Sequence, residues 1–394
     1  MRSGTRTTDK RILLAVTVTS TANSLLQPVT QALADAGWDV HVVCSPGQLS
    51  DQILSGPAQV HFIRMRRSIS PLHDIASLSK MRSTIRRIKP NVVVGSTPKA
   101  ALLSMFAARS IGVKTRVLQL RGARWDGMAG PRRRLLVAAD RLAVRSATHI
   151  LSVSDSLADL ALDSRITNSR PVVLGRGGSK GVDRSMFYPD PAYTFDAKRP
   201  RLGFAGRLSK DKGIDSLLAV HSSLLETHPG AILEIVGEID PVQPIDSVLM
   251  NRLMSTPQII LRGRLTPDEL AKRMRQWDVL VFPSIREGLP NVVIEAAACG
   301  VPTVGWDATG VRDAVDSGKS GELVPIGSIR DLLAALACTL DDEEHRIRRH
   351  GALSLADQFD SQTVMQQFVE FMIGCSHGPP QLQQRDHGSE IGEN

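Results

Sequence analysis

Short apolar runs alternate with longer segments of helical spacing along almost the whole chain. In the first half the runs are RILLAVTV (11–18), DVHVVCS (39–45), QVHFIRM (59–65), NVVVGS (91–96), TRVLQLRG (115–122) and HILSVS (149–154). In the second they are RLGFAG (201–206), ILEIVG (232–237), QIILRG (258–263), VLVFPS (279–284) and PTVGW (302–306). Each is short, bounded by turn residues and rich in Val, Ile and Leu, so each predicts a strand. Between them, segments such as SLLQPVTQALADAGW (24–38) and LAALACTLDDEEHRIRRHGALSLADQF (333–359) carry apolar residues at helical intervals. Val-rich strands separated by helices predict parallel sheets with both faces covered.

The series runs twice. Its two halves meet at MFYPDPAYTFDAKRP (186–200), where Pro189, Pro191 and Pro200 mark a linker. A chain of 394 residues is also too long for one ordinary core. The expected organisation is α/β, with two Rossmann-like domains at 1–190 and 191–358 facing one another across a cleft. A final helix at 359–374 is free to pack back on the first domain, and the polar, Pro/Gly-rich stretch 375–394 is expected to be disordered. The first residues read as a ragged start leading into a strand rather than as a signal peptide. No apolar run approaches the ~20 residues of a transmembrane helix.

Charge changes this picture more than composition does. Residues 60–150 hold 19 Lys/Arg against 3 Asp/Glu, while the rest of the chain holds 29 against 37. A basic half implies an anionic partner: a phosphorylated substrate, a membrane surface or nucleic acid. With 4% aromatic residues, and only Phe62, Phe106 and Trp125 as stacking platforms in that half, nucleic acid is the weakest of the three. Cys44, Cys299, Cys338 and Cys375 are scattered without a C-x-x-C pair, which fits reduced thiols in a cytoplasmic protein. The ten histidines show no H-x-x-x-H spacing, so neither a metal nor another cofactor is expected.

In an open parallel sheet the chemistry belongs on loops leaving the strands' C-terminal ends. Two such loops stand out. In FAGRLSKDKGI (204–214) a strand ends at Gly206, and Arg207 and Lys212 follow before a helix begins near Gly213. Two cations at a strand exit can neutralise a diphosphate, although solvated basic residues in a βα turn would look the same. In FPSIREGLPNVVIEAAACG (282–300) the strand leads into Glu287, then Pro290 in the first turn of a helix, then Glu295. Free N–H groups over Gly288, Leu289, Pro290 and Asn291 would suit a phosphate, except at the proline itself. Carboxylates at 287 and 295 accept paired hydroxyls well. Taken alone, a helix-dipole contact for Glu287 and an exposed helix position for Glu295 fit equally.

Together the two stretches resemble the retaining family-4 glycosyltransferases of GT-B fold, whose signature is an E-x7-E pair downstream of a G-R-L-x-x-x-K-G loop. The resemblance spans about residues 11–373. It implies that Arg207 and Lys212 hold the diphosphate of a nucleotide sugar beside Gly206, and that Glu287 contacts the transferred sugar and Glu295 the ribose. It also implies that the Gly288–Asn291 backbone lines the site. With no acidic triad of metal-ligand spacing beside these motifs no metal is expected, and the resemblance implies front-side attack on the sugar with retention. The second domain holds the nucleotide and the first the acceptor. VVCSPG, RMRRSISPLHDIASL and STPKAALLSMFAARSIGV resemble transferases of surface-polysaccharide assembly, including those acting on undecaprenyl-diphosphate-linked sugars.

The first domain departs from the family pattern. Where relatives read H-T-H-T-P-K-A this chain has Val94 to Ala100, without either imidazole; Lys180 replaces a usual Asn; and Ser20, Thr21, Asn23 and Ser24 stand where a Gly pair is usual. Lys99 follows Pro98 at a predicted helix start, where the dipole disfavours a cation. An acceptor diphosphate would reverse that penalty; a solvated lysine is the plainer account. Segments 79–90 and 131–145 mix basic and apolar residues as a helix on anionic lipid does, and as a helix on a sheet also does. The expected location is the cytoplasm, peripheral on the membrane's inner face. Alternatives are a nucleotide-sugar 2-epimerase of the same fold or a non-catalytic anion-binding protein.

Overall fold

The computed structural model describes residues 10–49, 51–66, 70–240 and 243–376. The ragged start expected for 1–9 and the tail from 377 onward lie outside the described residues. Cys375 and Ser376, assigned to that tail by sequence, close the last helix instead.

Among the described residues, thirteen strands form two sheets. The first takes β1 (Arg11–Ala15), β2 (Asp39–Cys44), β3 (Gln59–Phe62), β4 (Val92–Ser96), β5 (Thr115–Leu120), β6 (His149–Ser152) and β7 (Val172–Val173) in the order β3-β2-β1-β4-β5-β6-β7. The second takes β8 (Arg201–Ala205), β9 (Ile232–Val236), β10 (Ile259–Gly263), β11 (Val279–Phe282), β12 (Thr303–Trp306) and β13 (Gly321–Val324) in the order β10-β9-β8-β11-β12-β13. Every pairing is parallel. Burial explains why: β4, β11 and β12 are buried at every position, and helices cover both faces. The strands the sequence did not signal, β7 and β13, each form one edge of their sheet, where half-buried side chains blur the apolar pattern.

Strand order reverses once in each sheet. In the first the reversal lies between β1 and β4, and in the second between β8 and β11. A crevice opens beyond the strand ends at such a point. The chain crosses between the lobes twice, side by side: Val182 N–H donates to Phe359 O at 2.8 Å, and Ser361 N–H donates to Val182 O at 3.0 Å.

After the second crossing, the helix Ser361–Ser376 lies on the first lobe. Val364, Met365, Phe368 and Met372 pack with Ile12, Leu14, Val92, Val94, Val117 and Leu151 from that lobe's sheet. Thr115 Oγ1 donates to the Cys375 carbonyl at 3.2 Å. The chain's last described element therefore completes the core of its first lobe. Met372 is fully buried there. Met372→Ala is expected to cost about 2–5 kcal/mol, read as an earlier urea transition for first-lobe probes than for the second lobe.

Candidate active site

Both loops singled out from the sequence leave the second sheet at its reversal. β8 and β11 are neighbours, with Leu202 opposite Val279 and Gly203 opposite Leu280, so their exit loops run side by side. Gly206 N–H still belongs to the sheet, donating to Val236 O at 2.9 Å. A short helical turn, Lys210–Lys212, then brings the chain to Gly213, whose φ of +65° caps the helix Ile214–Leu224. A Cβ at Gly213 would also lie 2.1 Å from the Pro283 carbonyl oxygen, so only glycine lets the two loops touch. They are further stitched by Ile285 N–H to Asp211 O at 3.1 Å and Ser284 Oγ to the same oxygen at 3.3 Å.

That contact fixes the chemistry. Lys212 Nζ donates to Glu287 Oε1, which also accepts Ser284 Oγ at 2.8 Å. Glu287 is held from its main chain as well, its N–H donating to Thr309 O at 3.1 Å. Burial alone would raise the Asp211 carboxyl, but the Ser209 hydroxyl and the Lys212 and Arg207 charges overcome it and hold it below the usual range. Arg207 stands apart from this cluster. Its guanidinium bonds Asp240, a buried carboxylate beyond β9, while more than half of its own side chain faces solvent.

The helix Asn291–Ala298 opens over the same point. Pro290 is its N-cap, one residue outside the first turn where the sequence placed it, and no side chain caps the helix. The Asn291 and Val292 amides, first in the helix, therefore lack intrahelical acceptors, while the Val293 N–H donates to the Pro290 carbonyl at 3.1 Å. Gly288 is walled in, because a Cβ there would meet the Arg121 carbonyl of the other lobe at 2.1 Å. Its own carbonyl accepts Ser154 Oγ at 2.6 Å, again across the cleft. Leu289 is buried in the second-lobe core. Glu295 is buried, not the exposed helix position that its sequence alone allowed, and Lys180 Nζ reaches it from the junction loop at 3.0 Å.

In the first lobe the exits of β1 and β4 meet in the same way. Thr97, with a strained φ of +68°, accepts Thr17 N–H at 3.0 Å and shares a 2.8 Å hydroxyl contact with Thr17. Lys99 is neither solvated nor without a counter-ion: its ammonium bonds Asp74 of the helix Pro71–Ile88.

The structure thus brings Lys212, Glu287 and the Gly288–Asn291 turn together, places Glu295 on the following helix, and sets Arg207 and Lys99 on separate carboxylates. Sequence reasoning missed Asp240, Ser284 and Asp74. Asp240 carried a usable signal, an acid just past an apolar strand that ends in glycine. Ser284 and Asp74 carried none, since their roles depend on which loops become neighbours.

One loop beside this site titrates in an accessible range. Between β5 and the helix Gly130–Ser146, Trp125 Nε1 donates to Asp140 Oδ2 at 2.8 Å, and Arg286 donates to the Asp126 carbonyl at 2.9 Å. Burial pushes the Asp140 carboxyl up from 3.8 to about 6, against the opposing pull of the Trp125 N–H and the Arg124 charge. The folded chain thus holds this proton more tightly than the unfolded one, and the contribution is full below pH 3.8 and lost as pH rises through about 6. Asp140→Asn is expected to gain stability relative to wild type between those two values and to hold the gain above them. Urea midpoints measured against pH, with Trp emission as the signal, check it.

Comparison with known proteins gives the same frame. Residues 190–350 match the family model described as glycosyl transferases group 1, and residues 22–177 match the glycosyl transferase 4-like domain. The chain is 29% identical over 369 residues to the capsular polysaccharide biosynthesis glycosyltransferase CapM of Staphylococcus aureus, covering 91% of this chain and 96% of that protein. It superposes on the Anabaena protein HepE, solved with UDP and glucose, with a TM-score of 0.74 at 18% identity, covering 92% of this chain and 99% of that one. The sucrose-phosphate synthase of Thermosynechococcus elongatus gives a TM-score of 0.74 at 17% identity, over 93% and 98% of the two chains.

Proposed function

The chain belongs to the family-4 glycosyltransferases of GT-B fold, and we propose that it moves a hexose from UDP or GDP, with retention, onto a glycan or undecaprenyl-diphosphate-linked saccharide of a cell-surface polysaccharide. One observation carries the donor half: the Lys212–Glu287 pair and an uncapped helix N-terminus converge where the second sheet reverses. The capsule-synthesis relative supports the surface-polysaccharide reading, and the UDP complex of a protein of the same fold supports a nucleotide-linked donor.

Breaking a sugar–phosphate bond puts negative charge on the leaving diphosphate and positive charge on the anomeric carbon. Lys212, Arg207 and the first amides of the helix Asn291–Ala298 are fixed positive charge and dipole on one side of the crevice. They would take up the first charge without reorganising. Among the described residues no group of three or more His, Cys, Asp or Glu side chains is placed to hold a metal, and the proposed stabilisation is by protein groups alone. When Lys212 turns to phosphate, Glu287 is released to sugar hydroxyls while Ser284 still orients it. Glu287 then positions the sugar and does not attack it; the acceptor comes in on the face the diphosphate leaves, and a leaving-group oxygen takes its proton. Glu295 takes the ribose hydroxyls in exchange for Lys180.

A calorimetric panel of UDP- and GDP-sugars in EDTA is expected to yield one tight donor. Arg207→Ala and Lys212→Ala should each lower turnover of that donor by about 10²–10³-fold. Glu287→Gln should cut kcat sharply while circular dichroism stays unchanged. Near-normal turnover by Glu287→Gln, or a donor complex remote from both loops, would refute the assignment.

The acceptor half rests on a surface. The helices Pro71–Ile88, Pro98–Ile111 and Gly130–Ser146 pack side by side on the first sheet. They bury Met81, Ile85 and Val137 inward, as helices on a sheet do, yet leave Leu72 (82% exposed), Ile75 (66%), Phe106, Leu135 and Leu142 outside among exposed Lys80, Arg86, Arg132 and Arg134. Leu72 and Ile75 flank Asp74, the partner of Lys99, so apolar surface borders the first lobe's side of the cleft. An anionic bilayer fits that mixture, with about 1 kcal/mol for each cation near the surface. No helix among the described residues is long and apolar enough to cross it. The chain is expected to float with anionic liposomes and not with neutral ones, and Leu72→Glu with Ile75→Glu should abolish flotation. Equal, negligible binding to both liposomes would count against the surface.

A further inference from the structure

Four cations around the cleft have a carboxylate: Arg207 has Asp240, Lys212 has Glu287, Lys180 has Glu295 and Lys99 has Asp74. Arg121 does not. It is the first residue past β5, at the point where the first lobe presses on the Gly288 turn through its own carbonyl. Its Nη2 donates to Gln119 Oε1 at 2.9 Å, and that oxygen also accepts Ser96 Oγ at 3.0 Å. Its Nε and Nη1 are buried and make no hydrogen bond among the described residues. Burial draws the guanidinium down to about 10, and no acid offsets it.

A buried charge left uncompensated is strongly unfavourable, and a neutral glutamine here would keep the bond to Gln119 without that penalty. With Nε, Nη1 and the second N–H of Nη2 unused, the guanidinium still offers one fork, Nη2 paired with either Nε or Nη1, that suits two oxygens of one anion. We propose that Arg121 binds an oxyanion of the bound substrate, a phosphate or a carboxylate, where the β5 exit meets the Gly288 turn. The inference rests on reading the cleft as a transferase site and adds a first-lobe determinant of which substrates it accepts. Three sources share this chemistry: the donor diphosphate, a carboxylate on the transferred sugar, and an acceptor diphosphate.

Calorimetry and thermal melts on the full chain, as wild type, Arg121→Gln and Arg121→Lys, separate them. The probes are UDP, GDP, inorganic pyrophosphate, UDP-glucose, UDP-glucuronate and farnesyl diphosphate. Without ligand, Arg121→Gln is expected to melt at or above wild type, because it removes an unpaired charge. It should bind at least one probe about ten- to a hundredfold more weakly, with Arg121→Lys between the two. A deficit with UDP or GDP and pyrophosphate assigns the donor diphosphate. One confined to UDP-glucuronate assigns a sugar carboxylate, and one confined to farnesyl diphosphate assigns the acceptor. Unchanged affinity for every probe, whether or not the variant melts lower, overturns the proposal and leaves Arg121 a structural prop. Arg121-dependent binding of pyrophosphate or farnesyl diphosphate with no nucleotide binding counts against the donor reading alone. A wild type that binds none of the probes overturns both.

Discussion

The site depends on one close approach, the backbone of the β8 exit lying against the backbone of the β11 exit. Parallel pairing of β8 with β11 brings the loops near, and Gly213 removes the side chain that would hold them apart. Everything that follows is a consequence of that distance. Lys212 reaches Glu287 only because Asp211 and Ser284 are already bonded across the same seam. A half-buried ion pair of this kind does little for stability against well-packed apolar residues. Its retention at a strand-end crevice makes sense as stored polarity, a lysine and a carboxylate held in place for other partners.

The same logic runs through the rest of the cleft. Arg207, Lys180 and Lys99 are each held by an acid of the protein, and all four cation–acid pairs join segments from different βα units or different lobes. Pairing keeps the cleft's dense positive charge from repelling itself in the empty state. A diphosphate gathers into one group the two charges that Asp240 and Glu287 bring separately, so under the proposed function a single ligand takes over both cations. Preorganised dipoles and charges work best under that condition, since little reorganisation remains at the moment of reaction.

How much of this was legible in the sequence follows from how local each feature is. The strands were, because a fully buried parallel strand writes itself as an unbroken apolar run; only the edges β7 and β13 escaped. The two candidate loops were legible as strand exits too, because Arg207, Lys212, Glu287 and Glu295 all lie on two contiguous stretches fixed to strand ends. What could not be read was the set of partners. Asp74 lies 25 residues from Lys99, Lys180 lies 115 from Glu295, and Ser154 lies 134 from Gly288. Such pairs exist only after sheet order and lobe contact are settled, and no periodicity encodes them. Glu295 illustrates this: its helix reads as uniformly apolar, and a lone acid there looks exposed until the junction loop is laid over it.

The two lobes also differ in how their recognition is built. In the second lobe the proposed ligand groups lie on two adjoining loops and a helix start at a sheet reversal, a geometry that the fold itself imposes. In the first lobe the equivalent reversal is present, with Thr17 and Thr97 joined across it, but the groups around it are side chains on separate helices. Under the proposed function, acceptor recognition can therefore change by substitution at Lys99 or the exposed helix faces without disturbing either sheet. The loss of both family imidazoles from the β4 exit is then not a sign of a decayed lobe. The sheet, the strained threonine and the interlobe contacts at Ser154 and Arg121 all persist around the altered residues. A first lobe that keeps its frame while exchanging its polar groups is what a change of acceptor, rather than a loss of function, requires.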